Sequence, residues 1–82
     1  MARVAGFVER PSTSAPHPTE VVCHYQVVDN GTRRFLQLTT LGSKFRQTRP
    51  KNSQTLQFDA RQAAELLKII YRSFPELRDG ER

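Results

Sequence analysis

SQTLQFDARQAAELLKIIYRSFP, residues 53–75, changes its apolar period partway along. The first six residues alternate. Leu56 and Phe58 fall on one side and Thr55 and Gln57 on the other, the pattern of a half-buried strand. From Asp59 onward the spacing becomes three and four. Ala63, Leu66, Leu67, Ile70, Tyr71 and Phe74 then make a helical stripe wide enough to cover a sheet. Asp59 suits the N-cap, with Gln62 three residues later completing a capping-box pattern. Arg61, Glu65, Lys68 and Arg72 take the outer side, Glu65 and Lys68 at pairing distance. Pro75 ends the helix.

Upstream, Val21–Val28 is rich in β-branched and aromatic residues, and Asp29-Asn30-Gly31-Thr32 supplies turn chemistry. Asn-Gly accepts the positive φ angles of a tight hairpin turn. The chain returns as Arg33–Leu41, with Leu36 and Leu38 on one face and Arg33, Phe35, Gln37 and Thr39 on the other. Gly42-Ser43 breaks the pattern. The polar, basic run Lys44–Asn52, around Phe45 and Pro50, reads as a short third strand near Lys44–Gln47 followed by a basic loop. Residues 1–20 hold Pro11, Pro16 and Pro18 and read as a flexible arm. Within it Val4, Phe7 and Val8 suit a short edge strand or docking on a partner. Residues 76–82 read as a charged tail, leaving one domain over 21–75. The expected class is α+β: an antiparallel sheet of three to four strands, β-hairpin first, backed by one C-terminal amphipathic helix.

A chain of 82 residues builds one small core worth only a few kcal/mol net. Such domains lean on disulfides, metals or a second subunit. Cys23 is the only cysteine, which rules out an internal disulfide and favours a reducing compartment, with the cytoplasm or nucleoid the expected location. His17, His24 and Cys23 are too few and too unevenly spaced for a four-ligand metal site, so neither metal nor cofactor is expected. Self-association remains, and a homodimer is expected. The apolar runs are far too short for a membrane span, and the start lacks the apolar core of a secretory signal.

The net charge of +5 is unevenly placed. Between Asn30 and Phe58 lie six basic residues, Arg33, Arg34, Lys44, Arg46, Arg49 and Lys51, and no acid. The remaining seven basic and eight acidic residues sum to −1. A one-sign field of this kind suits a polyanion, and nucleic acid is the commonest. A solvated basic surface, or a docking patch for an acidic protein, is the plainer reading of the same charges.

The face not covered by the helix should display His24, Gln26, Arg33, Phe35, Gln37, Thr39, Thr55 and Gln57. Cations that follow phosphates, aromatic rings that stack on bases and amides that reach free base edges together suit a single strand. Lys44, Phe45, Arg46, Arg49 and Lys51 would extend that surface, with Arg34 adding charge. Phe35 and Phe45 are equally readable as packing residues, Tyr25 as core, and the glutamines as ordinary exposed strand residues. Catalysis is not expected. Cys23 and His24 are adjacent on a strand and point to opposite faces. No phosphate-binding glycine loop, G-x-S-x-G or H-E-x-x-H occurs, and no carboxylate pair is set for acid–base work. The expectation is non-specific binding of single-stranded DNA or RNA by a dimer; the alternative is an adaptor or inhibitor docking an acidic partner.

Lys51–Ile70, KNSQTLQFDARQAAELLKII, resembles the final strand and helix of the positive-cofactor-four type of transcriptional coactivator, and Arg33–Leu41 resembles its preceding long strand. The resemblance covers residues 21–75. It implies a symmetric dimer whose curved sheets grip single-stranded DNA, a role in transcription regulation, and binding by Arg33, Arg34, Lys44, Arg46, Arg49 and Lys51. Phe45 loosely matches the family's third-strand aromatic, and Asn52-Ser53 stands where the family has a glycine. Gly42, Ser43, Arg46, Lys51, Ser53, Gln54, Thr55, Gln57 and Asp59 are also similar to a pattern in short bacterial and phage proteins, which implies no activity.

Overall fold

The computed structural model describes residues 1–42 and 52–80. The chain runs through β1 (Ala2–Arg3), β2 (Cys23–Asp29), β3 (Arg34–Leu41), β4 (Asn52–Phe58), α1 (Ala60–Ser73) and α2 (Pro75–Gly80). The strands form one sheet in the order β1-β4-β3-β2. β3 pairs antiparallel with both β2 and β4, as the alternation requires. β1 lies parallel to β4, so the α+β fold has a mixed sheet. The third strand expected near Lys44–Gln47 lies outside the described residues.

The β2–β3 turn forms where its chemistry placed it. Asp29 Oδ1 accepts from the Gly31 backbone N–H at 2.7 Å. Asn30 Oδ1 accepts from the backbone N–H groups of Thr32 and Arg33 at 3.0 and 2.9 Å. These bonds fold the polar side chains back onto the turn and replace ladder bonds it cannot make. Among the described residues only Gly31 takes a positive φ, +97°, which glycine adopts without a Cβ penalty.

Asp59 caps α1: its Oδ1 accepts from the Gln62 backbone N–H at 2.9 Å. The reciprocal half of the expected capping box is diverted. The Gln62 side-chain amide donates instead to the Ala5 carbonyl at 3.2 Å. Glu65 and Lys68 pair at 3.6 Å as their spacing allows. At the other end the Phe74 N–H closes on Ile70 O at 2.8 Å. Pro75 then opens a second short helix where a charged tail was expected over 76–82. Proline needs no N–H partner in a first helical turn, and Glu76 and Arg78 sit at the ends the helix dipole favours.

The first residues, read as part of a flexible arm, also belong to the domain. Ala2 and Arg3 align with Leu56 and Gln57, and the Val4 N–H donates to Gln57 O at 2.9 Å. Phe7 then stacks on Phe58, ring centroids 6.3 Å apart and planes 7° from parallel. Without this segment β4 would be a bare edge with unpaired backbone groups. The prolines begin only at Pro11, beyond the docked stretch.

The register assigns the faces. Cys23, Tyr25, Val27, Leu36, Leu38, Leu56 and Phe58 share one; His24, Gln26, Val28, Phe35, Gln37, Thr39, Thr55 and Gln57 share the other. α1 packs on the first face, against β3 and β4. Phe58, 4 % exposed, sits beneath its opening turns, beside Ala60 and Ala63. Tyr25, expected in the core, is 77 % exposed. It stands on the edge strand β2, which α1 does not reach.

Candidate nucleic-acid interface

Strand pairing converts the alternation of single strands into rows across the polar face. One row runs Gln26, Gln37, Gln57 and Arg3, one residue from each of the four strands. A second holds His24, Thr39 and Thr55, and Val28 and Phe35 lie together on the other side of the glutamines. Side chains within a row meet. Gln57 Nε2 donates to Gln37 Oε1 at 2.8 Å, and the Thr39 and Thr55 hydroxyls are 3.2 Å apart. Each residue of such a pair keeps unused hydrogen-bonding capacity. The Gln57 carbonyl and Gln37 amino groups retain acceptor and donor positions on a surface that no described helix covers.

Arg33, Phe35, Gln37 and Gln57 are thus brought together on one face, as their alternation required. The Phe35 ring does not offer itself as a platform: it is only 8 % exposed. The Arg3 guanidinium lies 5.4 Å from its centroid and that of Arg33 lies 5.0 Å away. The flat groups near the surface here are guanidiniums, supported from below by a phenyl ring through cation–π attraction. Guanidinium planes, like aromatic rings, are able to stack on nucleobases.

Arg33 is held twice. Besides the ring, its Nη2 is 3.1 Å from Asp59 Oδ2, while Asp59 Oδ1 caps α1. One carboxylate therefore links the helix start to the polar face. Arg34 turns out otherwise. It projects to the helix side, where its Nε lies 3.6 Å from Asp29 Oδ2, because neighbouring strand residues face opposite ways. It is removed from the candidate site. Lys44, Phe45, Arg46, Arg49 and Lys51 lie outside the described residues.

Arg3 is the site residue that sequence reading missed. Its only signal is a basic residue beside Val4 and Phe7, and its place depends on pairing with a strand at the far end of the chain. Cys23 and His24 do part company across the sheet: Cys23 aligns with Thr40 on the helix side and His24 with Thr39 on the polar side. Among the described residues no helix is long and apolar enough to cross a membrane.

No family model matches the chain, and no curated protein or solved structure matches it either.

Proposed function

We propose that this protein is a non-catalytic module that binds single-stranded DNA or RNA across its polar sheet face, with little base-specific readout. The observation that carries the reading is the four-strand row of Gln26, Gln37, Gln57 and Arg3, beside two guanidiniums set on Phe35. Cations for the phosphates, planar groups for the bases and amides for base edges lie side by side, a combination that suits an unpaired strand. The acid-free segment from Asn30 to Phe58 supplies further charge for the backbone. Duplex DNA fits less well. Its bases are read by an element inserted into a groove, whereas a sheet face offers a platform.

Bases stack on the Arg3 and Arg33 planes. Binding displaces counterions, so affinity falls as salt rises. The experiment is an anisotropy titration of a labelled mixed-sequence oligonucleotide, single-stranded and duplex, at two salt concentrations. The expected result is tighter binding of the single strand, weakened by salt. Absence of binding to any oligonucleotide at low salt ends the proposal. A stoichiometric, nuclease-insensitive acidic protein recovered in its place assigns the face to protein docking.

A further inference from the structure

We infer that a second copy of this chain packs on the helix-side face of the sheet, across Tyr25 and Val27 of β2 and the adjoining stripe of α1. The single chain is poorly buried. Phe35 and Phe58 are its only buried apolar residues among those described, and no described side chain is fully enclosed. Its accessible surface is 7561 Å². A compact monomer of 9.4 kDa exposes about 5,000 Å². The exposed stretch over residues 10–22 accounts for part of the excess. A stable dimer needs about 800 Å² from each partner, less than the excess of 7561 Å² over that monomer value.

Part of the exposed apolar surface lies on this side. Val27 is 62 % exposed and Leu67 50 %, with Tyr25 more open still. Ala63 shares an open apolar groove of ≈ 190 Å³ with Val27, Leu36 and Phe58. Leu67 follows Ala63 by one helical turn, and Ile70 and Phe74 continue that stripe. The opposite flank of α1, at Glu65, Ile69 and Arg72, already faces Phe7 and Val8. Val27 of β2 and Ala63 of α1 therefore border one groove, with Leu67 one turn further along the helix.

Two features favour a copy of the same chain over a different protein. β2 is an edge strand, so its outer backbone groups meet no other strand among the described residues and can pair with a twin. At the rim Asp29 and Arg34 present both signs side by side, so a two-fold axis sets each acid against the other copy's base. The polar faces are then left open on both copies, pointing away from the seam.

The test is the molar mass of the full chain by light scattering at low and high micromolar concentration, with Val27→Asp and Leu67→Asp beside it. Both positions are exposed in the single chain, so circular dichroism should stay native. The expected result is twice the 9.4 kDa chain mass for the wild type and at least about tenfold weaker association for each variant. Alkylation of Cys23, exposed beside Tyr25 on the same face, should slow as the dimer forms. That readout needs no variant. A wild type monomeric throughout overturns the inference and leaves the groove to another partner. A dimer that keeps its mass in both variants, or leaves Cys23 reactivity unchanged, overturns the seam. Oligonucleotide binding is scored separately: a dimer that binds none removes the nucleic-acid reading and leaves this one standing.

Discussion

Asp59 shows how much one side chain carries when both oxygens are used. One oxygen caps α1 and the other holds Arg33 over Phe35. Asp59→Ala should lower stability by about 1 kcal/mol through the lost cap, with little added by the exposed ion pair. For a domain of this size that is a fall of roughly 4–8 °C in Tm, readable by calorimetry. Asp59→Asn keeps an acceptor for the cap and loses the charge, so stability should largely return while Arg33 stays released. The arginines predict differently. Arg3→Ala and Arg33→Ala should each weaken oligonucleotide binding severalfold, and each should flatten the log–log salt slope by about 0.7 if the lost cation met a phosphate. Unchanged slopes in both would place the phosphates elsewhere. Gly31→Ala tests the turn. A built Cβ meets nothing within 4 Å, so any loss comes from the +97° φ alone, about 1 kcal/mol by denaturant titration.

Among the elements, β1 shows why legibility stops where it does. The β2–β3 hairpin, β4 and α1 each repeat a periodic signal over seven or more residues, and caps and turns mark their ends. A two-residue strand has no period to detect, and its place depends on the free edge of β4, which exists only after the sheet forms. The same holds for Arg3 over Phe35, a contact that joins β1 to β3 across β4. Arg34 was within reach of the sequence. Alternation sets it opposite Arg33, on the helix side with Leu36 and Leu38. The short α2 was hidden for another reason, since proline reads equally as the end of one helix and the first turn of the next. Removing residues 1–9 should therefore do two things at once. It strips β4 of its partner and Phe58 of the Phe7 ring, lowering Tm, and it takes Arg3 from the polar face, weakening oligonucleotide binding. Phe7→Ala should lower Tm and leave binding nearly unchanged, which separates the two effects.

For the molecule as a whole, a thin layer of four strands backed by α1 divides its two sides sharply. The helix side is apolar and incompletely covered; the reverse is polar, amide-rich and set with guanidiniums. The proposed nucleic-acid contact lies on the reverse side. The most direct measurement is the two-dimensional amide spectrum of isotopically labelled protein titrated with a short single-stranded oligonucleotide. The account predicts shifts concentrated at the side chains and backbone of Gln26, Gln37, Gln57, Thr39, Arg3 and Arg33, with Tyr25, Val27 and Leu56 unmoved. Shifts confined to the helix side, or none at low salt, would contradict it.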